Sequence, residues 1–396
     1  MSDRFTITTR HSWSSRIGAS LKGLLAGFIL VVVGIGLLFW NEGRAVKTHK
    51  ALHESQRVVV SINAQEAAPG MDGKLVHLFG EAQSDQTLQD DLLPISTTAL
   101  KLRRDVQTYQ WKETSYSEEK KNMGGDVEIT TTYQYSKVWD NEKIDSSRFK
   151  QPSGHENPSE WYYKNKTWTA TDIHIGEYLL SDTHKKEIDN FQSLPLPEQL
   201  TIPKGMTKTG NELYVGANTK NPAIGDQRVQ FHFIPAQIYS VIGDLNNQQI
   251  VEHIASNGRS VALLQAGTHN ADAMFEKAKQ DNANLTWILR LIGTVLLIVA
   301  IGLILKPISV LADVVPLAGN IIEIGTGLVS FLSGLIIALV TICSAWIFYR
   351  PLVGITLILI IGALAYWLKR KSTIATHTLG AAKTSSMEDN PANLSN

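Results

Sequence analysis

The residues able to do chemistry are spread thinly along this chain. Its 11 histidines are scattered, and no pair has metal-ligand spacing with a supporting carboxylate. The only cysteine, Cys343, sits inside a long apolar run, so disulfides within the chain and cysteine-cluster metal sites are excluded. There is no G-x-S-x-G, H-E-x-x-H or C-x-x-C pattern and no phosphate-binding glycine loop. Gly34-Ile35-Gly36 and Gly325-Thr326-Gly327 lie within apolar stretches and are not dinucleotide motifs. His232 falls on the polar face of an alternating strand, where a solvated role is the simplest. The composition therefore points away from an enzyme and implies no cofactor. With 37 basic and 37 acidic residues the formal charge is zero, and no charge-driven partner such as nucleic acid is implied.

Three arginines stand out by context. Arg290 lies in an apolar run one helical turn inside Trp287, where its long side chain can snorkel to the headgroups. Arg103 and Arg104 lie in a strand-like stretch whose bulky residues change parity at Tyr109 and Trp111. A bulge near 103–106 would produce that switch. Arg104 shares its parity with Leu100 and Leu102, so it is expected to be buried against a carboxylate or backbone carbonyls.

Elements that would position these residues are legible from hydropathy. Leu24 to Trp40, Leu291 to Leu305, Thr326 to Phe348 and Leu352 to Leu368 carry no charge. About 20 apolar residues, at 1.5 Å each, cross a hydrocarbon core of roughly 30 Å. We expect four transmembrane helices over 21–40, 287–305, 326–348 and 351–368. Around them fall a cytoplasmic arm (1–20), a loop that is interfacial or re-entrant (306–325) and a polar cytoplasmic tail (369–396). Arg4, Arg10, Arg16 and Lys22 precede the first run and Lys369-Arg370-Lys371 follow the last, so both termini are expected on the cytoplasmic side.

Residues 41–284 would then form a large extracytoplasmic or luminal domain. Its signals are mostly β: short runs at 57–62 and 74–79, and alternation through Val229, Phe231 and Phe233. Two long alternating runs over 100–139 are joined through Gly124-Gly125, a long hairpin. Ile173 to Leu180 reads as helix or strand. From His269 the pattern turns helical and runs into the second span. The fold class is thus a multipass α-helical membrane protein with a β-rich α+β domain. Gly23, Gly27 and Gly34 line one face of the first span, and Ser330, Gly334 and Ala338 one face of the third. Such stripes let helices approach closely, within one chain or between chains.

Several short motifs carry a family resemblance. Asn41-Glu42-Gly43-Arg44-Ala45 directly follows the first span. Lys101-Leu102-Arg103-Arg104 precedes Tyr109-Gln110-Trp111. Gly154-His155 with Asn157-Pro158-Ser159, Gly225-Asp226 with Arg228-Val229, Thr286-Trp287 with Leu289-Arg290, and Phe348-Tyr349-Arg350-Pro351-Leu352 complete the set. In this order, across residues 41–352, the chain resembles the LUMA (transmembrane protein 43) family. The resemblance implies a non-enzymatic scaffold that organises membranes through self-association and partner binding. The alternative is a ligand- or lipid-binding membrane module linked to transport. The implied partners are the lipid bilayer and further copies of the chain. Lamin- and emerin-type nuclear envelope proteins join them only in a eukaryote. The implied location is the endoplasmic reticulum and inner nuclear membrane in a eukaryote, or the cytoplasmic membrane in a bacterium.

Overall fold

The computed structural model describes residues 3–351 together with Thr356, Leu359, Ile360 and Ala363. The expected fourth span, 351–368, and the tail, 369–396, fall almost wholly outside the described residues.

In chain order, β1 (Asp3–His11) leads into helix α1 (Trp13–Val58). Then come β2 (Val60–Ser61), β3 (Leu75–Gln83), β4 (Thr87–Gln89), β5 (Ser96–Thr98), β6 (Lys101–Lys121) and β7 (Val127–Asp140). β8 (Lys166–Thr169), β9 (His174–Ile175), β10 (Tyr178–Leu180) and the short helix α2 (Asp182–Lys186) follow. β11 (Gln192–Ser193), β12 (Met206–Thr209), β13 (Glu212–Val215) and β14 (Gln227–Ile234) continue the domain. β15 (Gln237–Asn246), β16 (Gln249–Val251), β17 (His253–Ile254), β18 (Ser260–Val261) and β19 (Leu263–Ala266) close it. Helices α3 (Ala271–Ala312) and α4 (Pro316–Tyr349) follow it.

Three helices are long and apolar enough to cross a membrane: α1, α3 and the Ile321–Tyr349 part of α4. At 46 residues α1 is about 70 Å long, more than twice a hydrocarbon core. Ser12 caps it, accepting from Ser15 N–H at 3.3 Å. The helix runs on through the strand-like signal at 57–62, leaving only β2 of it. α3 starts at Asn270, whose side chain accepts from Ala273 N–H at 2.8 Å, and carries the domain straight into an apolar stretch as expected. The segment 306–325, expected as a loop, is instead helical apart from a turn at 313–315. α3 continues through Pro307, and Pro316 opens α4 at a position where its missing N–H has no intrahelical role.

Two sheets make the domain. One has the order β1-β7-β6-β14-β13-β12, with β11 on β14 and β8 on β6. In the other, β3, β15, β16, β10 and β9 pair in a closed circuit, with β19 and β2 attached. The main core lies between the two. Leu102, Val106, Val229, Phe231, Val241 and Ile250 are fully buried there, each worth about 1.5–3 kcal/mol relative to exposure. A second cluster docks the helices onto the domain. Ala51 and Leu52 of α1 and Met274 and Phe275 of α3 pack with Leu75, Ile242 and Val261.

The long hairpin is β6–β7, with Gly124 and Gly125 of its turn at φ of 90° and 84°, where glycine is the favoured residue. It has no bulge near 103–106. Lys101–Thr108 pair one to one with Gln227–Ile234. Leu102, Arg104, Val106, Thr108 and Gln110 all keep one inward parity. Tyr109 and Trp111 lie on the other face, covered by Trp139 and His155 at centroid distances of 5.1 and 4.8 Å. The apparent switch reflects a second covering layer, not a break in the ladder. Ile173 to Leu180, ambiguous in sequence, is the tight hairpin β9–β10.

The arm expected at 1–20 is instead regular structure from residue 3 onward. Residues 3–11 form β1, in register with β7 from Asp3↔Tyr135 to His11↔Val127, and α1 begins at Trp13. The hairpin tip meets the far ends of the helices. Trp13 Nε1 donates to the Val310 carbonyl at 2.9 Å, and Gly124 N–H to that of Val314 at 3.1 Å. The middle of α1 keeps Leu25, Phe28, Ile29 and Val32 exposed. Open sheet edges are unstable in hydrocarbon, where unpaired backbone groups find no water. Pairing of β1 with β7 and a single crossing of a bilayer by α1 therefore exclude one another.

Candidate functional site

The densest convergence of the motif residues is where α1, α3 and α4 meet beside the domain. α1 and α3 run antiparallel, and small residues set their spacing. A Cβ added at Gly27 would lie 2.8 Å from the Ala300 carbonyl, and one at Gly34 2.9 Å from Leu297. Gly23 faces Leu303 more loosely. On the other side of α3, Gly334 of α4 meets Ile298, where an added Cβ would be 2.7 Å from Cα. Ser330 and Ala338 of the same stripe are buried. Both stripes thus pack within one chain, against the same helix.

This spacing brings Glu42 of α1 under Arg290 of α3. The Glu42 residue is 1 % exposed. Arg290 Nε and Nη2 donate to its two carboxylate oxygens at 2.6 and 2.9 Å, a bidentate fork. Trp346 Nε1 of α4 donates to Glu42 Oε2 at 2.8 Å. The guanidinium also sits 4.7 Å over the Trp287 ring and 5.6 Å over that of Trp346. One carboxylate therefore joins three helices. The expectation that Arg290 reaches headgroups by snorkelling is overturned: its charge is met inside the bundle.

One turn along α3, the Thr286 carbonyl accepts from Asn41 Nδ2 at 3.0 Å. Arg44 donates to Asn282 Oδ1 at 2.9 Å, Thr286 Oγ1 at 2.9 Å and Asn41 Oδ1 at 3.2 Å. Asn282 Nδ2 in turn donates to the Ala45 carbonyl at 3.0 Å. At Gly43 an added Cβ would lie 2.5 Å from Tyr349 Cζ, so the ring occupies the space a side chain would need. Arg350 ends α4 with its N–H on the Trp346 carbonyl at 2.7 Å, and Pro351 follows it. Chemically, this arrangement clamps helices together through charge-assisted hydrogen bonds.

The remaining motif residues lie in the domain, in three separate places. Arg104, 2 % exposed, donates to both oxygens of Asp90 at 2.7 and 2.6 Å and to the Lys164 carbonyl at 2.9 Å. This is the buried arginine expected from strand parity. Arg103 points the other way, to Asp105 at 2.9 Å and over the Phe191 ring at 4.1 Å. His155 stacks on Tyr135 at 3.9 Å, meets Trp111 edge-on and lies 2.8 Å from Asp3 of β1. Burial pushes the Tyr135 hydroxyl up to about 12, and its hydrogen bond to Glu113 acts in the same direction. Gly154 precedes His155 in a turn. Asn157 bridges Trp111 N–H at 2.7 Å and the Trp111 carbonyl at 2.9 Å. Pro158 stands near Gly225, where an added Cβ would be 3.8 Å from its ring. Asp226 accepts from Tyr214 Oη at 2.5 Å and from Ala223 N–H at 2.8 Å. Arg228 lies over the Trp139 ring at 4.1 Å.

Sequence reading missed a fourth cluster, at the hairpin tip. Asp313, 2 % exposed, accepts from Arg16 at 2.5 Å and Lys121 at 3.1 Å. Glu323 accepts from Lys121 at 2.7 Å and Lys306 at 3.0 Å. It also missed Asp90 as the partner of Arg104. The signal was there: Asp90 also accepts from the N–H groups of Leu92 and Leu93, a side-chain-capped turn of the kind that an Asp-Asp-Leu-Leu stretch allows.

Comparison with known proteins points to one family. The family described as "Transmembrane protein 43" matches over residues 108–351. Transmembrane protein 43 of Mus musculus is 31% identical over 360 residues, covering 88% of this chain and 90% of the mouse protein. The Homo sapiens protein of that name is 31% identical over 356 residues, 87% of this chain and 89% of its own. The Transmembrane protein 43 homolog of Drosophila melanogaster is 31% identical over 366 residues, 87% of this chain and 94% of its own. No solved structure matches.

Proposed function

The chain belongs to the transmembrane protein 43 family, and from that premise we propose that it is a non-enzymatic integral membrane scaffold. It organises membranes through partner binding and association with further copies of itself. One observation carries the reading: Asn41, Glu42, Gly43, Arg44, Arg104, Asn157, Asp226 and Arg290 each hold one part of the chain to another. In this chain these motif residues maintain a shape. The helix stripes are occupied within the chain, so association between copies falls to the β-rich domain.

In the membrane-inserted form both termini are cytoplasmic and the domain lies on the far side, as the flanking basic residues favour. β1 must then leave β7, and the hairpin tip must leave Arg16, Asp313 and Val314 at the cytoplasmic ends of the helices. The membrane is the endoplasmic reticulum or inner nuclear membrane in a eukaryote, with lamin- and emerin-type proteins as the partner class, or the cytoplasmic membrane in a bacterium. Affinity purification of the full chain from native membrane in mild detergent, with crosslinking and mass spectrometry, tests this. Recovery of the chain alone, as a monomer, would overturn the scaffold reading.

A further inference from the structure

Lys101 opens β6 and belongs to the first domain motif, yet the helix junction and the Arg104 cluster leave it out. The residue is 8 % exposed. Its ammonium donates to the Ile188 carbonyl at 2.6 Å, with no carboxylate in hydrogen-bond reach among the described residues. Lys185 of α2 is 7 % exposed. It donates to the Thr171 carbonyl at 2.7 Å and lies 3.3 Å from Asp182, whose side chain is 90% exposed. Lys186 adds a third, exposed ammonium. Lys101, Lys185, Lys186, Asp182 and the segment Thr169–Thr171 line one pocket of about 280 Å³.

An ammonium has three donors and is costly to bury unless an anion meets it. Lys101 and Lys185 use carbonyls for part of that need, and carbonyls carry no net charge. Burial lowers the proton affinity of Lys101, while Asp189 and Glu187, which do not line the pocket, oppose this at longer range. Three lysines against one carboxylate leave two positive charges on the lining. A phosphate monoester carries about −1.5 to −2 at neutral pH, and lysine is a common phosphate partner.

We propose that this pocket binds a phosphate-class oxyanion, with Lys101 and Lys185 as the buried donors and Lys186 at the rim. The scaffold reading needs no ligand, so the two stand or fall separately.

The test is thermal unfolding of the full chain in neutral detergent, with inorganic phosphate titrated against potassium chloride at matched ionic strength. A ligand that binds only the folded state raises Tm with its concentration. The parent should show a phosphate-dependent rise beyond that in chloride, and Lys101→Met should lose it. Because Lys101→Met can change stability by itself, the quantity compared is the phosphate-dependent shift within each variant. Lys186→Gln, at an exposed position, should fold like the parent and need about tenfold more phosphate, the scale of one charge-assisted hydrogen bond. Soluble short-chain phosphatidic acid separates the sources. Tighter binding than phosphate identifies a lipid headgroup, and equal or weaker binding a soluble phosphate compound. No rise beyond chloride in the parent, or an unchanged dependence in both variants, would overturn the site.

Discussion

Arg104 and Arg290 are both largely buried and each meets both oxygens of a buried carboxylate, but they sit in regions built on different principles. In the domain, Arg104 is fixed by a ladder. β6 pairs with β14 on one side and β8 on the other, and the alternation of the strand turns the guanidinium inward. In the helix bundle there is no hydrophobic drive between spans, because lipid tails are as apolar as leucine. Close approach through Gly27, Gly34 and Gly334 and a few strong polar contacts must hold the helices instead. The domain thus spreads its hold over many backbone bonds, whereas the bundle concentrates it in a few side-chain contacts.

The largest effect expected is all-or-none and asks to which region β1 belongs. Thr6 and Thr132 are register partners, their hydroxyls 3.3 Å apart. In a Cys343→Ser background, Thr6→Cys with Thr132→Cys should form a disulfide in detergent and none in sealed native membranes, where α1 separates the two. A disulfide in both would mean that α1 does not cross the bilayer once.

Next in size, Arg104→Ala leaves Asp90 buried and unpaired, at a cost of about 3–5 kcal/mol. The domain should melt at a clearly lower temperature, and an unchanged melting temperature would remove Arg104 from the core account. Gly27→Leu and Gly334→Leu force side chains into backbone contacts, and overpacking costs about 1–3 kcal/mol or more. Both variants should accumulate poorly as whole proteins. Normal accumulation with smaller crosslinked complexes would shift the stripes to contacts between copies.

The smallest effect is on pH and concerns the domain alone. His184 and His77 are buried, and burial lowers both below the ordinary histidine value of 6.5. The unfolded chain therefore takes up protons near pH 6.5 before the folded chain does. Stability should fall as pH drops below that value, by up to about 1.4 kcal/mol per pH unit for each histidine. His184→Gln should flatten the slope in denaturant titrations at a series of pH values.

Much of the domain was legible in advance because its signals are local. Alternation placed Val229 and Phe231 inside, the glycine pair placed the hairpin turn, and parity picked Arg104 over Arg103. The helical pattern from His269 into α3 was equally plain. The parity change at Tyr109 misled because aromatic residues on a covered outer face look like a shifted ladder. Glu42 and Arg290 are 248 residues apart in the chain, and neither carries a local sign of the other. The N-terminal strand was hidden for a similar reason: Phe5 and Ile7 alternate too briefly to outweigh basic flanks that belong to a membrane-anchor signal.

The Glu42–Arg290 pair, with Trp346, holds three helices together. Glu42→Leu, Arg290→Leu and the double variant test it directly, by accumulation in native membrane and by the complexes recovered on crosslinking. Each single change strands a buried charge and should sharply reduce the folded protein. The double change removes both charges, and replacing a whole buried pair by apolar side chains is often neutral or stabilising. The double variant should therefore recover most of the parent's accumulation and all of its complexes. A double variant that accumulates normally but loses its complexes, or that fares no better than the singles, would show that the pair does more than hold helices together.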